Sequence, residues 1–292
     1  MIDYQKLLNW QFPLIEHRYS ADDSMRYALA LGYGADPTDE RQLQFVNDVR
    51  PGMPLALPTM AVVLGYPGSW MAAPETGIDF SKIVHGEETL VVHQPLQAAG
   101  TIVARHRVSR IVDKGPGRGA TITYEKELHD KETGLLLATV IHTTFARGDG
   151  GFSISGGQSD PPLPVPQAVP TRAPDQLCEI TVLPQQALMY RLCADRNPLH
   201  SDPAIAREAG FERPILHGLC TYGLAGRTLL AQWCAHDPSR LKRLFARFSA
   251  PVYPGETLQF EMYQEDSGIL FRARAKEREK TVLDFGRAEI DA

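Results

Sequence analysis

The chain has 292 residues, of which 43% are hydrophobic and 22% are charged, a composition typical of a globular protein large enough for two modest domains. Its net charge of −5 argues against nucleic acid as the main partner, because no basic excess is available to neutralise phosphates. The sequence contains no apolar run near the roughly 18 residues of a membrane span, and its first residues do not resemble a signal peptide. We therefore expect a cytoplasmic protein.

The cysteines and histidines show no spacing typical of a metal site. The four cysteines, Cys178, Cys193, Cys220 and Cys234, form no CxxC pair and are interpreted as small core residues in a reducing compartment. Cys220 could act as a nucleophile near a helix start, but the apolar run around it favours a packing role. The nine histidines are scattered along the chain, so we expect neither a metal nor a cofactor.

The first half of the chain predicts two short helices followed by an antiparallel meander. Ser20 and Asp23 have the spacing of a capping box and indicate a helix that starts between them, and a second helix is expected at about 38–47. Alternating apolar and polar residues then predict strands at 87–93, 101–112, 120–129 and 135–146. The third of these strands carries on one face Ile122, Tyr124, Lys126 and Leu128.

A proline-rich linker divides the chain near its midpoint. Six prolines lie between Asp160 and Asp175, and such a segment prefers extended geometry across a surface. Beyond it, a long apolar helix at 219–233 is predicted among strands at 176–183, 245–248, 257–263, 269–274 and 282–290. We interpret the halves as unequal copies of one α+β unit, at 1–155 and 176–292, joined by a linker at 156–175.

The residues best suited to chemistry lie before and at the start of the long helix. Asp195 and His200 are five residues apart, and Pro198 between them stiffens the segment, so both side chains can converge on one point. Gly218 would lie in the first helical turn, where unpaired backbone N–H groups can hold a developing oxyanion. Taken singly, each feature also has an ordinary interpretation, as a surface turn with a capping aspartate and as a helix cap.

The joint pattern resembles the hydratase 2 signature of the MaoC-like enoyl-CoA hydratases. The matching residues are Tyr190, Leu192, Asp195, Asn197, Pro198, His200, Gly210, Phe211, Pro214, Ile215, His217 and Gly218. The chain departs at Ala194, where the family usually has glycine, and we interpret this as a tolerated change. The resemblance covers nearly the whole chain and implies an α+β fold of two tandem hotdog units, each an antiparallel sheet wrapped around a central helix. The N-terminal helix is expected to be shortened.

The same resemblance implies an (R)-specific 2-enoyl-CoA hydratase, which adds water reversibly to a trans-2-enoyl thioester. Asp195 and His200 would share the water, either of them acting as the base, with Asn197 orienting them and the Gly218 N–H holding the oxyanion. The residues implied to contact the substrate are His85, Gly86, Lys114, Arg196, Pro198, Leu199 and Phe248. Without the family, His85 and Gly86 would be interpreted as a strand-entry turn, Lys114 as a solvated lysine and Phe248 as a strand core residue.

Several alternatives stay open at this point. Asp48 stands where the multifunctional relatives usually carry a glutamate, so any supporting role of that position is in doubt.

A dehydratase acting on acyl carrier protein is the nearest alternative function. A hotdog thioesterase would not need the Asn-Pro-x-His segment, and a non-catalytic acyl-binding module would not need both Asp195 and His200. The expected partners are an acyl-CoA substrate and a second copy of the chain in a homodimer.

Overall fold

One sheet of ten antiparallel strands runs through the molecule, in the order β1-β3-β4-β5-β2-β7-β10-β9-β8-β6. The structure, a computed structural model, describes residues 1–154, 156–193 and 195–291. The strands are β1 (Ile15–Tyr19), β2 (Ile83–Val92), β3 (Gly100–Asp113), β4 (Ala120–Asp130), β5 (Leu136–Ala146), β6 (Gln176–Thr181), β7 (Leu241–Phe248), β8 (Thr257–Glu265), β9 (Gly268–Ala275) and β10 (Lys280–Ile290). The two halves of the chain meet where β2 pairs with β7, residues 87–91 lying opposite 243–247.

All nine strands expected from the alternating pattern are present, with ends that differ by a few residues. The pattern does not predict β1, because this short strand depends on pairing with residues 100–104, far along the chain. The other main difference concerns β2, which begins at Ile83 instead of Glu87. His85 and Gly86 therefore lie inside a strand, and their interpretation as a strand-entry turn is wrong.

The helices are α1 (Tyr4–Leu8), α2 (Ala21–Ala30), α3 (Glu40–Leu43), α4 (Gln186–Tyr190), α5 (Pro203–Glu208) and α6 (Gly218–Trp233). The capping box at α2 is confirmed, since the Ser20 hydroxyl accepts from the Asp23 N–H and the Asp23 carboxylate accepts from the Ser20 N–H. The helix predicted at 38–47 is much shorter. The chain leaves helical geometry after Gln44, and Phe45 enters the core with its ring 4.9 Å from that of Tyr33.

The long helix α6 belongs to the second half of the chain but packs closely on the first half. A Cβ atom at Gly223 would lie 2.7 Å from the Leu31 side chain, and one at Gly226 would lie 2.5 Å from that of Thr59. The Arg227 guanidinium donates to the Leu31 carbonyl at 2.9 Å. Glycine therefore lets α6 approach the first half more closely than any other residue would allow.

In the first half, a buried 3₁₀ turn, Pro58–Val62, stands beneath the sheet beside α6, and the predicted shortening of the first helix is confirmed. Such a short turn leaves carbonyl groups without intrahelical partners. The Lys126 ammonium is the missing hydrogen-bond donor. It donates to the carbonyls of Ala61, Val62 and Leu64 at 3.0, 2.9 and 2.7 Å. The predicted inward face of β4 is thus confirmed, including its lysine, and burial lowers the pKa of Lys126 to about 8.

The linker residues 156–175 contain neither helix nor strand and are mostly exposed. Two aspartates attach this segment to the sheet. The Asp160 carboxylate accepts from the Tyr4 hydroxyl at 2.9 Å and from the Ile111 N–H at 2.8 Å, while that of Asp175 accepts from the Gln264 N–H at 2.8 Å. Across the described residues, every helix is too short or too polar to span a membrane.

Replacing Lys126 with methionine should lower the free energy of unfolding by about 3 kcal/mol, because three buried carbonyls lose their donor. The matched control is Lys131→Met, which removes a half-exposed lysine whose ion pair with Glu16 lies at the surface and should cost less than about 1 kcal/mol. Urea denaturation of both variants measures the difference. Equal effects of the two substitutions would contradict a stabilising role of the buried ammonium.

Candidate active site

The segment 195–200 folds as a turn that brings its carboxylate and its imidazole to one place. The Asp195 carboxylate accepts from the Asn197 N–H at 2.8 Å, and the Asn197 side-chain oxygen accepts from the Leu199 N–H at 3.0 Å. Pro198 then begins a 3₁₀ turn, Pro198–His200, as its restricted φ favours. One oxygen of Asp195 and one ring nitrogen of His200 lie within 4.8 Å of each other.

His200 is buried, and one of its ring nitrogens is committed to the backbone. Its Nδ1 lies 2.9 Å from the Ile215 carbonyl, which can only accept, so Nδ1 carries the proton and Nε2 of the neutral ring keeps a lone pair. Burial lowers the pKa of His200, against the opposing effects of this hydrogen bond and of the Asp195 charge. The ring is therefore held neutral, with a basic nitrogen able to accept a proton from water.

His217 connects this turn to the start of α6. Its ring stacks on that of His200, with centroids 3.7 Å apart, and its Nε2 donates to the Asp195 carbonyl at 2.9 Å. Burial, together with the neighbouring His200, lowers the pKa of His217 to about 3, so this imidazole is neutral as well. The expectation that the histidines are scattered is wrong for this pair. The available signal was the position of His217 in the motif, directly before Gly218.

The backbone N–H of Gly218 lies at the start of α6. The N–H groups of Cys220 and Thr221 donate to the His217 carbonyl, but among the described residues no acceptor is bonded to the Gly218 N–H. Unpaired N–H groups at the positive end of a helix favour negative charge. A Cβ atom at position 218 would lie 3.2 Å from the Phe248 ring. The Gly218 N–H is thus a free donor beside an aromatic side chain.

Phe248 and the first half of the chain complete the surroundings of Gly218. The centroid of the Phe248 ring lies 4.3 Å from that of His85, a residue of β2. A register shift between His85 and Glu87 makes Gly86 part of a β-bulge, where a Cβ atom would lie 3.1 Å from the Thr143 carbonyl. Bulges change the direction of neighbouring side chains, and this one brings His85 against Phe248.

The other residues implied to bind substrate lie at the surface. The Lys114 ammonium is placed 5.0 Å from the centre of the Phe145 ring, and Phe145 lies 3.9 Å from a Cβ built at Gly86. Arg196 and Pro198 are exposed, and Leu199 is partly buried. Their contacts with substrate stay predictions.

Two further positions need separate mention. Asp48 is exposed on the loop after α3, and its side chain makes no hydrogen bond or ion pair with the described residues. The departure at Ala194 lies outside the described residues.

Tyr66 is a residue that the sequence gave no reason to include. It follows the first-half 3₁₀ turn, and its side chain is 54% exposed. Burial of part of the ring raises the pKa of Tyr66; a hydrogen bond with Ser69 opposes this rise, and the negative charge of Asp195 adds to it. The only local signal is its loop position after an apolar run, so no sequence pattern could identify it.

Two groups of side chains have atoms close enough to share a metal ion, although the expectation of no metal stays a prediction. The groups are Asp195 with His200 and His217, and His85 with Glu88 and His142. The second group joins His85 and His142, which lie on different strands and have no spacing in the sequence that indicates their contact. The other reactive candidate, Cys220, is buried and its pKa is raised by that burial, which disfavours a thiolate nucleophile.

Comparisons with known proteins agree with this organisation. Residues 17–148 match the MFE-2 hydratase 2 N-terminal domain, and residues 166–284 match the MaoC like domain. The chain is 38% identical to an enoyl-CoA hydratase of Mycobacterium tuberculosis, over 98% of this chain and 97% of the relative. It is 38% identical to the peroxisomal enoyl-CoA hydratase 2 of Arabidopsis thaliana, over 95% and 92% of the two chains. The crystal structure of a MaoC-like dehydratase from Phytophthora capsici aligns with a TM-score of 0.86, at 33% identity, over 99% of this chain and 98% of that one.

The buried neutral histidines predict a loss of stability on mild acidification. Burial lowers the pKa of His142 to about 4 and that of His217 to about 3, from an ordinary value of 6.5. Their contribution is therefore complete above pH 6.5 and is lost as the pH falls below it, because the unfolded chain binds protons first. The free energy of unfolding should fall between pH 6.5 and 5, where carboxylates are still mostly ionised. Urea denaturation at several pH values measures it.

His142→Phe should reduce the dependence of the free energy of unfolding on pH between 6.5 and 5. His93→Phe, at an exposed histidine, should leave that dependence unchanged. A free energy of unfolding that stays constant from pH 7.5 to pH 5 would show that these rings are not buried in their neutral form.

Proposed function

This chain belongs to the hydratase 2 family of MaoC-like enzymes, and we propose that it is an (R)-specific 2-enoyl-CoA hydratase, adding water reversibly to trans-2-enoyl-CoA thioesters. The observation that carries the proposal is the pairing of the neutral His200 imidazole with the Asp195 carboxylate, next to the unpaired N–H of Gly218. The relatives named enoyl-CoA hydratases support coenzyme A as the carrier of the acyl group.

The first step of the proposed reaction is the attack of water on C3. A separation of up to 4.8 Å between the Asp195 oxygen and the His200 nitrogen matches the span of one water that donates a hydrogen bond to each. His200 Nε2, as the free basic nitrogen, takes one proton while the water oxygen bonds to C3. Asp195 accepts a hydrogen bond from the second O–H, which stays on the oxygen, and its charge stabilises the imidazolium once His200 is protonated.

The second step returns a proton to C2. As the C3–O bond forms, the electrons of the double bond move toward the thioester, and negative charge collects on its carbonyl oxygen. The Gly218 N–H, at the positive end of α6, donates to that oxygen. The imidazolium of His200 then gives its proton to C2, which restores the neutral base and leaves a 3-hydroxyacyl thioester. The proposed reaction adds only the elements of water, so it needs no oxidant, reductant or cofactor.

Asn197 has a supporting role in this proposal. Its side-chain oxygen is already bonded to the Leu199 N–H, so it acts by fixing the turn that carries His200. The thioester would lie between the halves of the chain, because Phe248 and His85 adjoin Gly218. Lys114 offers a point charge at the surface for a phosphate of coenzyme A.

The cellular setting and the assembly are part of the proposal. We propose a reducing compartment, the cytoplasm, because Cys178, Cys193, Cys220 and Cys234 are all free thiols. The Arabidopsis thaliana relative is named as peroxisomal, so fractionation of the source cells decides between the two. We also propose a homodimer that works without a cofactor, which sedimentation and assay of metal-depleted protein test.

Asp195→Ala and His200→Ala should each lower kcat by two to four orders of magnitude while the protein stays folded, because each removes one end of the water site. The double variant should be little worse than either single one, since loss of one member already disables the step. Suitable controls are Asp266→Ala and His93→Ala, which remove an exposed carboxylate and an exposed imidazole elsewhere. Loss of enoyl-CoA absorbance measures turnover. A folded Asp195→Ala protein with nearly normal turnover would refute the site.

Membership of the hydratase 2 family implies a (3R)-hydroxyacyl-CoA product, and the geometry of the site implies a product of a single hand. Asp195 and His200 lie on one turn and deliver water and proton from one side, while Gly218 fixes the carbonyl and so selects the face of C3. The measurement offers the product of a trans-2-enoyl-CoA to two dehydrogenases, one specific for each enantiomer. Consumption by the (3S)-specific enzyme would contradict the assigned stereochemistry, and consumption by both would contradict a fixed water.

A further inference from the structure

A buried carboxylate lies behind His85 in the first half of the chain. Glu88, in β2, is 1% exposed, and its Oε2 lies 3.0 Å from His85 Nε2 and 3.0 Å from His142 Nδ1. The His85 and His142 rings are 3.8 Å apart, and the His142 ring is 4.8 Å from that of Tyr124. The mechanism proposed above makes no use of Glu88 or His142.

The geometry fixes which nitrogens carry protons. Burial by itself would raise the pKa of Glu88, but the two adjacent imidazoles outweigh it and hold the pKa below its usual range, so the group is a carboxylate. A carboxylate only accepts hydrogen bonds, so His85 Nε2 and His142 Nδ1 must both carry hydrogen. Burial keeps His142 neutral. The ammonium of Lys126, also buried near this cluster, offsets the charge of Glu88 and disfavours the binding of a metal cation there.

The remaining nitrogen of His85 has no hydrogen-bond partner in the part of the chain that the structure describes. Nε2 is occupied by Glu88 and by the Glu87 carbonyl at 3.2 Å, while Nδ1 makes no hydrogen bond with any described residue. The His85 side chain is 21% exposed, so this nitrogen can be reached from outside. In the neutral ring, Nδ1 is a hydrogen-bond acceptor, and Glu88 prevents the ring from changing to the other tautomer without losing its own partner.

The position of His85 relative to Gly218 suggests what Nδ1 accepts. Phe248 contacts both residues, so His85 lies about one aromatic ring away from the N–H proposed to hold the thioester carbonyl. In a pantetheine thioester, the first amide nitrogen is only two methylene groups from the sulfur. An acceptor beside Phe248 is therefore placed for an amide N–H of the pantetheine arm, and not for the reacting carbons.

We propose that Glu88 and His142 are positioning residues that hold His85 in one tautomer, with Nδ1 as the acceptor for an amide N–H of the pantetheine arm. This inference rests on the proposed function, since it assumes a pantetheine thioester as substrate. It assigns recognition of the arm to a buried hydrogen-bond network of the first half, while the second half carries the chemistry.

The test is Glu88→Gln, assayed with two substrates. One is trans-2-hexenoyl-CoA, and the other is the S-ethyl thioester of the same acid, which has no amide. One oxygen of Glu88 accepts from both imidazoles; a glutamine is neutral and can turn either its oxygen or its amide N–H toward them, so it no longer enforces one tautomer of His85. For the CoA thioester, kcat/KM should fall by roughly 3- to 10-fold, mainly through KM, because one hydrogen bond to the arm is lost. For the ethyl thioester, kcat/KM should stay within twofold of wild type.

The matched control is Glu87→Gln, which removes the adjacent carboxylate, bonded to Arg247 at 2.8 Å and not to the cluster. It should leave the ratio of kcat/KM for the CoA thioester to kcat/KM for the ethyl thioester unchanged. His142→Phe, which keeps an aromatic ring against Tyr124, should change the ratio in the same direction as Glu88→Gln. In a His85→Ala background, Glu88→Gln should have no additional effect on the ratio, because its only route to the substrate is absent.

Several results would overturn the inference. Equal losses on both substrates would assign Glu88 a purely structural role, and an unchanged ratio in Glu88→Gln would show that the amide is not recognised through this network. If Glu88→Gln does not fold, ¹⁵N NMR of histidine-labelled wild-type protein decides the point: a protonated His85 Nδ1 near neutral pH would refute the assigned tautomer. If wild-type protein hydrates neither substrate, the proposed function is wrong and the inference with it. If wild-type protein hydrates both substrates and the variants leave the ratio of their kcat/KM values unchanged, only the inference is wrong.

Discussion

The close contact between α6 and the first half of the chain is the constraint on which the site depends. Gly223 and Gly226 offer no side chain, so the helix lies directly against Leu31 and Thr59, and Arg227 bonds the Leu31 carbonyl. A rigid helix held this way places its own N-terminus next to strands of the first half. The N–H of Gly218 thus comes to lie beside Phe248 and, through that ring, beside β2. For this reason Gly218, in the second half, lies about one aromatic ring away from His85, in the first half.

The two halves bury different elements against the sheet. The second half uses the full length of α6, whereas the first half has only the 3₁₀ turn Pro58–Val62 and a lysine from β4 beneath it. A shorter element leaves carbonyl groups unpaired in the interior, and a buried ammonium with three donors satisfies them. By pairing these carbonyls, Lys126 allows the first half to have a short 3₁₀ turn where the second half has a long helix.

Burial also sets the protonation of the site. His200 and His217 are stacked away from solvent, and each commits one nitrogen to a backbone carbonyl, so the remaining nitrogen of each is defined before any substrate binds. For His200 this leaves Nε2 as the basic nitrogen, and for His217 the hydrogen bond from Nε2 itself links the turn at Asp195 to the start of α6. The cluster around Glu88 repeats the same principle with a carboxylate in place of a carbonyl. In both places a neutral imidazole is oriented by an acceptor that cannot donate.

The sequence by itself determined much of the local structure and singled out the groups proposed to react. Alternation of side chains gave the inward face of β4, the spacing of Ser20 and Asp23 gave the start of α2, and Pro198 with its neighbours gave the stiff turn that carries Asp195 and His200. Each of these depends on residues a few positions apart, which is the range over which backbone geometry is set by sequence.

Tertiary structure alone decided the contacts between distant segments. It stacked His217 on His200, brought His142 of β5 to Glu88 of β2 and added β1 to the edge of the sheet. It also shortened α3, because Phe45 is needed in the core, and moved His85 and Gly86 from a turn into a bulged strand. These outcomes follow from how sheets and helices pack together, and residues so far apart carry no periodic signal of the neighbours they will meet.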